Sequence, residues 1–211
     1  MFPGHWLFTE IMDRLQEILA YWFEGATDET PIDRNAFPFK KWFAKSPAID
    51  SEIRKKFEVD LRRAEQGEYK SWELSPEGRL ALILLFDQFS RNMYRDTPKM
   101  FATDPLALAL SLSSITEALD RQLSLIEREF FYMPLMHSEQ LEIQKLSLKC
   151  FQDLIAESRI KNQRNTAYYE YTGGFAQRHH DTIARFGRFP HRNIILNRPS
   201  TMEELEFLKG E

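Results

Sequence analysis

Asp87, Arg91 and Arg95 stand at positions i, i+4 and i+8, on the face that continues Leu80, Ile83 and Leu84. An acid four residues ahead of an arginine can pair with it along one side of a helix. On so apolar a helix the pair is buried or half buried, where charges and amide donors are costly unless all are satisfied. A second group follows downstream. His179 shares a helix face with Ile183 and Phe186, and Arg185, Arg188, Arg192 and Arg198 crowd around Phe189 and His191. The segments Phe86–Asn92 and Phe186–Asn193 both end in Arg-Asn among aromatics, an echo too short to establish a duplication. Two chemistries fit. Arginine forks suit carboxylate or phosphate, so Arg91, Arg95, Arg128, Arg188 and Arg192, with Asn92 and His191 beside them and Asp87 and Glu139 orienting them, would bind a small anionic molecule or an acidic peptide end. Alternatively, His137 or His179 would act as a general base against a carboxylate, as in a hydrolase-like enzyme. A structural polar lock is the third reading.

Other chemistries lack their grammar. His137, His179 and His191 with Asp87 and Glu139 have no tight ligand spacing, so no metal is expected. The chain has no phosphate-cradling glycine loop, nucleophile elbow or paired-cysteine motif, and no cofactor is expected. The lone Cys150 lies in an apolar helical run and reads as a core residue in a reducing compartment. A net charge of -4 gives no general attraction to nucleic acid. The longest apolar block, Leu80–Phe86, is too short for a membrane span. Met1–Trp6 shows no signal-peptide pattern, so a cytoplasmic location is expected.

The elements that must position these residues read as helices. With 211 residues and 43% apolar content, one all-α domain over residues 1–211 is expected. Ile11, Leu15, Ile18, Leu19 and Trp22 form a helical stripe. Glu24–Phe39, with Gly25, Pro31 and Pro38, reads as a loop. Asp50 or Ser51 is the expected cap of a helix through Glu65. Ser75-Pro76-Glu77 opens the central helix, and Thr103-Asp104-Pro105 opens another over Leu106–Leu119. Asp120–His137 reads as a long connection, with a helix starting only at Ser138-Glu139 and running to Ile155. A further helix runs from Asn165 to Phe186, weakened by Gly173-Gly174. Ser200 with Glu203 and Thr201 with Glu204 form two overlapping capping boxes. Antiparallel helix hairpins stacked on one another are the natural architecture.

Leu85-Phe86-Asp87-Gln88-Phe89-Ser90-Arg91-Asn92, Thr97-Pro98 with Phe101-Ala102-Thr103-Asp104, Tyr132-Met133-Pro134 with His137-Ser138-Glu139, and Arg185 to Asn193 followed by Arg198 and Ser200-Thr201 occur in that order. This set resembles the bacterial domain-of-unknown-function family number 924, over Ile18–Leu208. The resemblance implies an all-helical bundle related to tetratricopeptide-type superhelices, and it carries no activity, substrate or cofactor. The chain departs from the family pattern at Ser90, where proline is common, and at Asn197, where glycine is common. Ser90 keeps a helical donor, so a straighter helix past the Arg-Asn pair is expected, and Asn197 should still reach the left-handed conformation.

Overall fold

The computed structural model describes residues 4–210 apart from Arg34, Ala36 and Phe37, with side chains from Arg14 onward. Ile11 of the first stripe and the segment Met1–Trp6 fall outside the described side chains. The helices are α1 (Gly4–Phe23), α2 (Phe39–Phe43), α3 (Pro47–Glu65), α4 (Pro76–Ile83), α5 (Ser90–Met93), α6 (Asp104–Thr116), α7 (Leu125–Met136), α8 (Leu141–Lys161), α9 (Thr166–Phe186) and α10 (Met202–Leu208), with a π-helical turn over Leu84–Phe89 joining α4 to α5. Among the described residues there is no strand.

Helix starts follow their caps. Ser75 Oγ accepts from the Gly78 N–H at 3.1 Å, and Pro76 occupies the first turn of α4. Proline is tolerated there because its missing N–H has no intrahelical partner in any case. The same pair of residues opens α3 earlier than expected: Ser46 is the cap and Pro47 follows, while Asp50 lies in the first turn. The largest correction concerns Asp120–His137. This stretch holds α7, opened by a full capping box in which Ser124 and Glu127 satisfy each other's backbone N–H groups. Pro134 sits inside that helix, and eleven of its twelve residues are buried, so neighbours on every side hold it. Ser138 does not cap α8. Its hydroxyl accepts from Gln140 N–H, and α8 begins at Leu141. Of the two overlapping boxes near the C-terminus, the Thr201–Glu204 one forms, and Ser200 Oγ accepts from Asn193 instead.

The helices α8 and α9 have 21 residues each and are joined by residues 162–165. Each is about 32 Å long, while four residues reach at most about 14 Å. Helices that pack along one another across so short a link must run antiparallel, and α7 against α8 follows the same logic. Gly173-Gly174 does not interrupt α9. A Cβ at Gly173 would lie 2.8 Å from Ile155 Cδ1, so the glycine lets α9 close onto α8.

Edge-to-face aromatic contacts then tie the first half of the chain to the second. Trp22 of α1 meets Phe89 at 5.4 Å and Phe130 of α7 at 5.5 Å, and Phe89 packs at a tilt on Phe57 of α3 at 4.9 Å. Cys150 belongs to this buried core, and burial pushes its thiol up to about 12. Asn197 adopts a φ of 53°, the left-handed conformation expected of it.

Gly78 is required for space. A Cβ there would run into the backbone carbonyl of Trp72, which has no side-chain freedom to yield. Gly78→Ala should therefore destabilise the protein by about 3 kcal/mol. Gly173→Ala, which meets only the tip of Ile155, should change stability by less than about 1 kcal/mol, because helix propensity offsets the contact. Urea unfolding of the two variants distinguishes them, and equal losses would contradict this packing.

Candidate functional site

The π turn creates the site. In a regular helix the Ser90 N–H would bond to the Phe86 carbonyl. Here it reaches Leu85 and Asp87 instead, and the Thr103 hydroxyl takes the Phe86 carbonyl at 2.6 Å. The expectation of a straighter helix past Ser90 is thus corrected: the turn widens just ahead of it. Ser90 Oγ donates to the carbonyls of Lys99 and Met100 at 3.4 and 3.3 Å. The widened turn and the Thr103 bond bring Asp104, at the start of α6, against Arg91.

Asp87 is fully buried. Its Oδ1 lies 2.8 Å from Arg91 Nη1 and 2.7 Å from His137 Nδ1, and Gln88 donates to its Oδ2. Burial alone would raise its pKa, but the charge of Arg91, then His137, then the Gln88 amide outweigh that and hold the carboxyl below the usual aspartate range. Arg91 also grips Asp104 with both Nη atoms, at 2.8 and 3.0 Å. Arg192 donates to the His137 carbonyl at 2.9 Å and lies 3.5 Å from Asp104. Its guanidinium is sandwiched between Phe101 and Phe189, at 4.6 and 4.5 Å from the ring centroids. Burial, and then the charge of Arg91, lower it to about 10, so it stays charged at neutral pH. Its Nε is buried without a hydrogen-bond partner.

An ionised carboxylate only accepts, so the His137 Nδ1 carries the proton. Its Nε2 then has no protein partner among the described residues. Burial and the charge of Arg91 lower the pKa of this imidazole, against the upward pull of Asp87. His179 is built alike: its Nδ1 lies 2.8 Å from the Phe175 carbonyl, and burial lowers it to about 4. The two rings are 6.2 Å apart, centroid to centroid. Both line a cavity of about 150 Å³ between α7 and α9, with Phe43, Met133, Met136, Thr172 and Phe175 as the remaining wall.

Asp87, Arg91, His137, His179 and Arg192 are therefore brought together. Exposed His191 packs at a tilt against Phe189 at the rim, at 5.5 Å. Glu139 stands beside the group. Arg198 grips it at 2.7 and 3.0 Å, and the Phe189 N–H donates to it, fixing the turn that presents Phe189 and Arg192. The other expected residues lie outside this group. Arg95 and Asn92 both hold Asp50, Arg128 makes a bidentate pair with Glu157, and Arg188 pairs with Glu204. Sequence reading gave Thr103 and Asp104 only a place in a helix start signal and, with Phe101, in the family motif. Among the described residues, no three His, Cys, Asp or Glu side chains are grouped to hold a metal, and no helix is long and apolar enough to cross a membrane.

One buried acid further along α7 went unnoticed in the sequence. Glu129 is fully buried, neither carboxyl oxygen has a hydrogen bond of good geometry, and the Tyr168 and Tyr169 hydroxyls are orphaned as well. Burial raises its pKa to about 8 against a weaker pull from Tyr168 and Thr172.

The fold and site place the chain in a class. It belongs to the family described as bacterial protein of unknown function, DUF924, whose pattern matches residues 18–211. A solved structure, a protein of unknown function, ATU0120, from Agrobacterium tumefaciens, is similar at 33% identity with a TM-score of 0.77, covering 95% of this chain and 99% of that one. Among curated proteins none matches.

Glu129 gives a pH-dependent prediction. The folded carboxyl keeps its proton up to about pH 8, while the unfolded chain releases it near the ordinary value of about 4.3. Between these limits the native state binds more protons, so stability falls as pH rises. Glu129→Gln removes this loss. Its melting temperature should rise relative to wild type between pH 5 and about 8 and hold that lead above. A difference independent of pH would contradict the burial of an unpaired acid.

Proposed function

We propose that the chain is a hydrolase-like enzyme acting on a small molecule, with His137 as general base and Asp87 as the carboxylate that orients it. The observation that carries this reading is the 2.7 Å contact between His137 Nδ1 and Asp87 beside a cavity that the imidazole lines. A base needs a fixed tautomer, a free nitrogen and a lone pair available at working pH. Asp87 supplies the first, the absence of a partner on Nε2 among the described residues the second, and the lowered pKa of His137 the third. Asp87 stays ionised throughout, and it stabilises the imidazolium formed when Nε2 takes a proton. The one hydroxyl in the wall, Thr172, donates to the Tyr169 carbonyl. The proton therefore comes from water or from the bound molecule.

The anion-binding alternative has less support, because each expected arginine already holds an acid: Arg91 with Asp87 and Asp104, Arg95 with Asp50, Arg128 with Glu157, Arg188 with Glu204, and Arg192 beside Asp104. The antiparallel run of α7, α8 and α9 supports reading the scaffold as a tetratricopeptide-like stack of hairpins.

Hydrolysis of phenyl acetate and small lactones, followed from pH 5 to 9, tests the reading. Wild-type turnover above the buffer rate is expected, rising as His137 loses its proton. His137→Gln, checked for native dichroism, should lower it about 10²–10⁴-fold. Equal turnover by the variant, or none by wild type across the set, would count against it.

A further inference from the structure

The two histidines constrain what the cavity accepts. The Phe175 carbonyl has no proton to give, so His179 Nδ1 must donate to it, as His137 Nδ1 donates to Asp87. Each neutral ring is thereby left with Nε2 as an acceptor, and both rings line one cavity. Burial keeps both rings neutral near pH 7. Two lone pairs favour hydrogen-bond donors and disfavour a carboxylate or phosphate oxygen, which would meet them with a like partial charge. The remaining wall is Phe43, Met133, Met136 and Phe175 plus the single hydroxyl of Thr172, so the body of the occupant is apolar.

Size narrows the class. A cavity of about 150 Å³ matches the engineered apolar cavity known to hold benzene. Ring centroids 6.2 Å apart allow a single donor group between the rings to reach both Nε2 atoms at about 3 Å. A group with two N–H bonds satisfies both acceptors, whereas a hydroxyl satisfies one. We propose that this cavity binds an uncharged, ring-sized apolar molecule carrying an N–H₂ donor, as in an aromatic amine or a primary amide, with His137 and His179 as paired acceptors. Resting on the same cavity as the proposed activity, this names the substrate class: a primary amide would set its leaving nitrogen beside His137 Nε2, which takes a proton from the attacking water as the C–O bond forms and returns it to that nitrogen as the C–N bond breaks and ammonia leaves.

Aniline, toluene and benzoate separate the alternatives, because aniline and toluene have nearly the same shape and only aniline donates. Calorimetric titration at pH 7.5 should show aniline binding at least 10-fold tighter than toluene, with benzoate weaker than both. His179→Phe, which preserves the ring but removes the acceptor, should bring aniline to the level of toluene. Met136→Trp, which fills the cavity, should abolish binding of both, with native dichroism as the check on folding. Equal binding of aniline and toluene, or preference for benzoate, would overturn the donor assignment while leaving the cavity as a site. Binding of none of the three up to its solubility limit would overturn the cavity itself, and the proposed activity with it. Selective aniline binding without turnover of benzamide, esters or lactones would leave this inference standing and remove the hydrolytic reading alone.

Discussion

A charged carboxylate at a position with no solvent exposure governs the centre of this molecule. Asp87 is a liability unless every partner is in place: removing one member of a buried ion pair typically costs about 3–5 kcal/mol. Its partners come from three parts of the chain. Gln88 and Arg91 lie on its own helix, Asp104 neutralises the other side of Arg91 from α6, and His137 arrives at the end of α7. The π turn answers the same constraint. It breaks the regular helical ladder between Phe86 and Ser90, and Thr103, the residue before Asp104, repairs the break. Widened single turns of this kind recur at functional positions in other helices.

This polar group also divides the seam between α7 and α9 in a definite way. Along α7, Glu129, Met133, Met136 and His137 fall on one face, and along α9, Tyr168, Thr172, Phe175 and His179 do so. One end of the seam holds a proton on a buried acid, and the other holds two neutral imidazoles. Glu129 and His137 are eight residues apart, about 12 Å along the helix, so they cannot serve the same reacting atom. Methionine and phenylalanine fill the space between them, which makes the histidine end the chemically equipped one.

Much of this was legible in the sequence, and what was missed has local causes. Start signals read α4 and α6, and helical periodicity read α1 and α3, because a core-facing stripe is written directly into residue spacing. The Asp87–Arg91 pair was visible for the same reason. The helix α7 was missed because it is apolar on nearly every side and contains Pro134, which together hide both the stripe and the expected continuity, although Ser124 and Glu127 announced its start. The misplaced element shifted His137 from a helix end to a loop end. Pairings far apart in sequence, such as Arg91 with Asp104 and Arg198 with Glu139, leave no mark on local spacing. Without them, the arginines looked like unpaired cations and an anion looked like their natural partner. Once those acids are in place, the polar residues left lining the cavity between α7 and α9 are His137, His179 and Thr172.

The account turns on the state of one imidazole. Nitrogen-15 shifts of the His137 ring, followed from pH 4 to 8, report both its tautomer and its charge. The structure predicts a neutral ring at pH 7 with its proton on Nδ1, protonating only below the ordinary histidine range. Replacement of Asp87 by asparagine should release the tautomer preference. A ring already charged at pH 7, or one carrying its proton on Nε2, would contradict the arrangement from which the base, the cavity's preference and the role of Asp87 all follow.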